Sequence, residues 1–259
     1  MNDLEKIREK ISQCDDKIIT VLAERMSYIQ DIIAYKKSNG MPILQPEQQQ
    51  HLLEVLTSKL DNNEFKEEIL DIFEYIVKNS KKIQAKSLFS YNIMLVGFMG
   101  VGKTIVSSYL SQMLAMKRVE MDDLIVEKEG LSITGIFEEY GEEYFRNCES
   151  NIIIELQKKT QLVVSCGGGV VLCAENVRHM KENGRVVLLT AQPETIYERV
   201  KDSNERPVLN KNMNVEFIAG LMEKRREKYI KAADIIISTD NKSIHEICEE
   251  LVGKLTSLD

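Results

Sequence analysis

A chain of 259 residues has room for one large domain or two small ones. With 43% apolar and 29% charged residues and a net charge of −7, it reads as a soluble globular protein without the basic face of a nucleic-acid binder. Its five scattered cysteines include no C-x-x-C pair and its three histidines join no Cys/His cluster, so no zinc site is expected; reduced thiols in the cytoplasm are. The first residues, Met-Asn-Asp-Leu-Glu-Lys, are charged and unlike a signal peptide, and no apolar run is long enough for a membrane span.

The chain has two grammars. Residues 1–90 hold a single glycine, Gly40, and read as helix throughout. Later residues alternate short apolar runs with helical stretches. The shift predicts a helical domain over 1–88 and a second domain over 92–259, joined near Ala85–Tyr91.

A first helix is predicted from Asn2 to about Ser38, with Leu4, Ile7, Ile11, Cys14, Ile18, Val21, Leu22, Ile29 and Ile32 on an apolar stripe. Asn39-Gly40-Met41-Pro42 stops it. A second helix is predicted from Pro46 to Leu60. A third runs from Glu64 to about Lys86, with Phe65, Ile69, Ile72, Phe73, Ile76 and Val77 inward. Three such helices bury a thin core, and self-association as a homodimer through this domain is expected. Arg25 and Lys36 lie on the first stripe, eleven residues or about three turns apart. Ser80 and Gln84 extend the stripe of the third helix. Cations on an inward face call for anionic partners, so these residues read either as a pocket for a small polyanion or as side chains reaching the surface at the bundle ends.

Ile7-Arg8-Glu-Lys-Ile-Ser12, Ala23-Glu24-Arg25, Lys36, Pro42-Ile43 and Ser80-x-x-x-Gln84 together resemble the all-helical chorismate mutase family over nearly all of residues 2–86. The resemblance implies an intertwined dimer that rearranges chorismate to prephenate. Arg8 from the partner chain, Arg25 and Lys36 would be the cations, Ser80 a carboxylate contact, and Gln84 with Lys36 the donors to the ether oxygen. The sequence departs from the family on the second helix. Gln48-Gln49 stands where Arg-Glu is usual, so Gln49 enters the pocket in place of an acid that holds a substrate hydroxyl, and one carboxylate-binding cation is gone. The helical domain is therefore either a mutase or a non-catalytic dimerisation or sensor module.

Gly97-Phe-Met-Gly-Val-Gly-Lys-Thr104 fits the phosphate-binding P-loop, G-x-x-x-x-G-K-[ST]. It follows a predicted strand, 92–96, and precedes a predicted helix, 105–115, which is the context the motif requires. Glycines at 97, 100 and 102 let backbone N–H groups close around phosphate oxygens, Lys103 reaches the β- and γ-phosphates, and Thr104 ligates Mg²⁺. ATP and Mg²⁺ are the expected cofactors.

Further along, Arg118-Val-Glu-Met-Asp122-Asp123 reads as a short strand ending in acids, with Glu120 and Asp122 on one side. A capping aspartate before a helix from about Leu124 is the alternative. A helix opens at Gly141 and carries Arg146 and Glu149. A third strand, 162–165, runs into Gly167-Gly168-Gly169, where a ligand would approach the backbone. A fourth, 185–189, precedes a helix from Pro193. The polar stretch from Asp202 through Asn214 reads as a lid carrying Arg206. The helix with Lys224-Arg225-Arg226 and a fifth strand, 234–238, complete the pattern.

G-F-M-G-V-G-K-T, Met-Asp122, Phe-Arg146-x-x-Glu149, the glycines 167–169, Arg206-Pro-Val-Leu, and Lys-Arg225 followed by Tyr229 together resemble shikimate kinase over roughly residues 92–256. The resemblance implies a five-strand parallel sheet of the nucleoside-monophosphate-kinase type that phosphorylates shikimate at its 3-hydroxyl. By that resemblance Arg146 and Arg225 bind the shikimate carboxylate, Asp122 holds ring hydroxyls and is the candidate base, and Gly167, Gly168 and Gly169 support the ring. Gly100, Val101, Gly102, Lys103, Thr104 and Ile105 hold the ATP phosphates, Arg206 closes over them, and Arg199 stacks near adenine. Lys103, Asp122 and Arg206 are the catalytic set. Glu120 stands where the family often has aspartate. A kinase of another small hydroxy acid is the alternative.

Overall fold

The computed structural model describes residues 2–41, 46–201 and 214–258, and it divides into two compact units, Met1–Leu88 and Phe89–Asp259. The first unit has three helices: α1 (Asp3–Ser38), α2 (Pro46–Lys59) and α3 (Lys66–Leu88). Asn2 and Glu5 form a reciprocal capping box that starts α1. Gly40, with φ of 63°, follows its end.

The 36 residues of α1 extend about 54 Å, whereas α3 has only 23. The inward face of α1 is accordingly short: Leu22, Arg25, Ile29, Ile33 and Lys36, at helical spacing, are the residues withdrawn from solvent. The expected stripe is corrected here. Leu4, Ile7, Ile11, Cys14, Ile18 and Val21 lie on the exposed N-terminal half, and Ile33 takes the inward place assigned to Ile32. On α3 the buried residues are Val77, Ser80, Gln84 and Ala85. Phe65 and Ile72 are also corrected: both were expected inward, and they are 57% and 59% exposed. α3 packs against both α1 and α2, and most of α1 remains exposed.

The second unit begins with β1 (Asn92–Val96), α4 (Lys103–Leu114), β2 (Lys117–Glu120), α5 (Met121–Glu129) and α6 (Ile133–Leu156). β3 (Leu162–Ser165) follows, then a short 3-10 turn, α7 (Ala174–Glu182), β4 (Gly184–Thr190), α8 (Pro193–Val200), α9 (Val215–Ala232), β5 (Ile235–Ser238) and α10 (Ile244–Thr256). The five strands form one parallel sheet in the order β2-β3-β1-β4-β5.

β1 is central and buried along its whole length, as expected of a strand covered on both faces. Met94 and Val96 face a core shared with α5, α6, α7 and α9. Ile93 and Leu95 alternate to the opposite face, where α4 and α10 pack together. The chain crosses from β1 to β2 and returns to β3, so the C-terminal ends of β1 and β3 lie side by side. That crevice is where ligands bind in open parallel sheets.

One boundary differs from the sequence reading. β2 stops at Glu120, and Met121 already begins α5, with Asp122 in its first turn. Asp122 therefore projects from a helix N-terminus, not from a strand.

Candidate active site

The loop after β1 is shaped by its glycines. Gly97, Gly100 and Gly102 adopt φ of 146°, 81° and 97°, a region closed to most side chains. A Cβ on Gly97 would strike the Leu189 carbonyl, and one on Gly100 would lie 2.7 Å from Val200 Cγ1. The loop thus packs tightly against β4 and α8 and leads into α4, whose first residue is Lys103. The Lys103 ammonium donates to the carbonyls of Gly97 at 2.9 Å and Phe98 at 3.2 Å. Thr104 follows on the first turn, where unpaired N–H groups and the positive end of the helix favour phosphate.

Across the crevice, the backbone after β3 is closely hemmed in. A Cβ on Gly169 would collide with the Arg146 guanidinium, and one on Gly167 with Glu149 Oε1. Glycine at these two places is what lets α6 lay its charged groups against the turn. Arg146 Nη1 donates to Glu149 Oε2 at 2.6 Å, and Arg146 Nη2 donates to Glu142 at 2.8 Å. Gly141, with φ of 81°, kinks α6 just before these residues.

On α9, the Tyr229 hydroxyl donates to the Gly168 carbonyl. Burial pushes that hydroxyl up to about 12, with Arg225 pulling the other way, so it remains a donor. Arg225 lies one turn earlier, over the Phe98 ring at 5.9 Å from its centroid. At the far end of the loop, Arg199 Nη1 donates to Thr239 Oγ1 at 3.0 Å and Nη2 to the Thr239 carbonyl at 3.2 Å.

These groups surround one cleft of about 770 Å³. Residues 100–105 and 167–169, with Asp122, Arg146, Arg199 and Arg225, all line it. Arg206 lies outside the described residues. Glu120 lines the cleft too, and several lining residues were missed as site residues: Glu149, and Thr239, Lys242 and Ile244 after β5. Thr239 follows a strand C-terminus, the general signal that would have found it. Cys166 also lines the cleft, but burial pushes its thiol well up, so it is no nucleophile.

Burial pushes the Glu149 carboxyl up from its ordinary 4.5; Arg146 offsets this only in part, and Asp122 adds repulsion. An acid raised on folding binds its proton more tightly in the native state, so its contribution to stability falls as pH rises from 4.5 through the shifted value. Glu149→Gln is expected to flatten that fall. Melting temperatures across this range check it; an unchanged slope would exclude Glu149 as the source.

In the helical unit, Arg25 Nη1 donates to Ser80 Oγ at 2.6 Å, joining α1 to α3. Burial lowers the pKa of Arg25 and of Lys36, and Gln84 Oε1 is a buried acceptor with no hydrogen-bond partner among the described residues. Arg8 is exposed on the N-terminal half of α1. Gln49 lies on α2, and its side chain is outside the described residues.

A P-loop at the end of the central strand, facing a cleft lined by three arginines and an aspartate, defines a P-loop phosphotransferase with an anionic acceptor. Residues 99–256 match the family model described as shikimate kinase, and residues 7–85 match that of chorismate mutase type II. The chain belongs to the shikimate kinase family. It is 45% identical to a shikimate kinase of Persephonella marina over 164 residues, 63% of this chain and 98% of that one. A shikimate kinase of Dehalococcoides mccartyi is 43% identical, covering 63% of this chain and 93% of the relative. The solved structure of shikimate kinase from Acinetobacter baumannii in complex with shikimate superposes with a TM-score of 0.64 at 30% identity, covering 68% of this chain and 98% of the other. Both family resemblances stated from the sequence agree with these matches.

Proposed function

We propose that the α/β unit transfers the γ-phosphoryl group of ATP to the 3-hydroxyl of shikimate, and that the helical unit converts chorismate to prephenate. The convergence of the P-loop, Asp122, Arg146 and Arg225 on one cleft carries the kinase reading. Arg146 and Arg225 offer planar guanidinium forks to the shikimate carboxylate. Asp122 is near enough to the Gly167 backbone (its Oδ1 lies 3.5 Å from a Cβ built there) to receive a hydroxyl resting on the glycine turn. In this role Asp122 accepts the proton of the attacking 3-hydroxyl, and Lys103 meets the charge that develops on the transferring group. Arg206 serves as the cation that closes over the phosphates. Arg199, held by Thr239, borders the adenine end.

The oxygens of Thr104 and Glu120, 3.4 Å apart, suit a hard cation. In this reading Mg²⁺ keeps water and phosphate ligands besides these oxygens. Bound there, Mg²⁺ neutralises phosphate charge.

In the helical unit, Arg25 and Lys36 are half-buried cations on one face of α1, Arg25 bonded to Ser80 on α3, and with Gln84 they form a set suited to a small dicarboxylate. A homodimer is supported by the apolar stripe Leu4, Ile7, Ile11, Ile18 and Val21, each 53–60% exposed. A second copy laid along α1 would cover it and bring the partner's Arg8 towards the pocket. The Gln48-Gln49 departure favours a second reading, a dimeric chorismate or prephenate sensor without turnover. The five free cysteines agree with a cytoplasmic setting.

Coupled ADP release with shikimate tests the kinase. Shikimate should outperform gluconate and other small hydroxy acids, and failure with shikimate alone among them would sink this reading.

A further inference from the structure

The Glu120 carboxylate is gripped from one side. Its Oε1 accepts from Ser107 Oγ at 2.6 Å and from Arg118 Nε at 2.9 Å, and Arg118 Nη2 lies 2.8 Å from the same oxygen. Its Oε2 faces the Thr104 hydroxyl at 3.4 Å. Ser107 and Arg118 therefore share one oxygen and leave the other to the Thr104 hydroxyl, on the side of the P-loop.

The local structure explains the arrangement. Ser107 is fully buried on α4, one turn after Thr104, so both hydroxyls face the end of β2. Arg118 precedes Glu120 by two residues on β2 and projects from the same face. Ser107 has a single hydroxyl proton. Its bond to the carboxylate at 2.6 Å is shorter and charge-assisted, and so prevails over the Thr104 carbonyl at 2.9 Å. Arg118 Nε, whose one proton goes to Glu120 Oε1 at 2.9 Å, lies 3.1 Å from the Ser107 oxygen. Glutamate has one more rotatable bond than aspartate, and the shared grip on Oε1 removes the freedom this adds.

We propose that Ser107 and Arg118 are positioning residues for the phosphate-bound cation. By fixing Oε1 they present Oε2 of Glu120 beside Thr104, to the water shell of Mg²⁺. The proposal rests on the Mg²⁺·ATP reading above. Partners that orient a metal-binding group typically change affinity by about 10–100-fold.

The test uses the full chain with ADP and Mn²⁺ as the probe, bound metal being counted by electron paramagnetic resonance. Ser107→Ala and Arg118→Lys alter the grip without altering net charge. Each is expected to weaken Mn²⁺ by about tenfold. Ser107→Ala should weaken it no further in a Glu120→Gln background, because both act through one carboxylate. Wild-type Mn²⁺ affinity in both single variants would overturn the proposal, as would a Ser107→Ala effect that persists without the Glu120 carboxylate. If Ser107→Ala disturbs folding, Arg118→Lys decides, its side chain being 35% exposed. Shikimate-dependent ADP release by the wild type keeps the kinase reading intact in either case; its absence would remove that reading instead.

Discussion

Replacing Asp122 by asparagine is expected to lower turnover with shikimate by about 10²–10⁴-fold, the usual contribution of a positioned general base. Asparagine keeps the shape and one acceptor oxygen but cannot take the proton of the attacking hydroxyl. ATP affinity should be unchanged, because the proposed phosphate contacts are residues 100–105 and do not include Asp122. The substitution also has a predicted effect on stability. Asp122 is one of the charges that push the buried Glu149 carboxyl up, so removing it relieves a repulsion. The variant should melt near the wild-type temperature while turnover collapses. This contrast separates a catalytic role from a structural one. A drop in kcat that follows a drop in melting temperature would assign Asp122 to structure, and unchanged turnover would remove it from the mechanism.

Lys36→Ala is expected to reduce prephenate formation by the full chain by about 10²–10³-fold, the scale for one donor to a developing negative charge. The reaction needs no nucleophile, only a fixed substrate conformation and donors at the oxygen that gains charge. Lys36 is partly withdrawn from solvent on the same face of α1 as Arg25, where burial lowers its pKa. Arg8→Ala should be similarly damaging, although Arg8 is exposed in its own chain. Mixing the two inactive variants supplies the decisive readout. In a mixed dimer one site has an intact Lys36 and an intact partner Arg8, so about a quarter of wild-type activity should return on random exchange in a two-fold dimer. No recovery despite exchange would place Arg8 outside the shared site. No prephenate from the wild type would favour the sensor reading that Gln48-Gln49 raises.

The legible parts of the site are those that a few consecutive residues specify. Residues 97–104 carry their own geometry, since positive φ at Gly97, Gly100 and Gly102 and a helix start at Lys103 are properties of the local chain. Gly167 and Gly169 were legible as places of close approach, but the sequence suggested a ligand there, whereas Glu149 and Arg146 are the groups that exclude a side chain. Strand β3, at 162–165, matched its predicted span because four buried apolar or small residues have few alternatives.

Other features depended on residues far apart in sequence. The end of β2 was misjudged because Met121 and Asp122 fit a strand locally, while the observed start of α5 brings Asp122 to a helix terminus. The exposed Phe65 and Ile72 follow the helical period, but period alone does not say whether a neighbour covers the face.

Sequence by itself determined the order of two domains, the phosphate loop and the identity of most charged groups around it, because these are written in short motifs and periodicities. Tertiary structure alone decided which groups meet. It brought Arg199 to Thr239, 40 residues away, Tyr229 to Gly168, 61 residues away, and Ser107 with Arg118 to one oxygen of Glu120. The reason is physical: a hydrogen bond selects partners by distance and angle, and those are fixed only when strands and helices have packed.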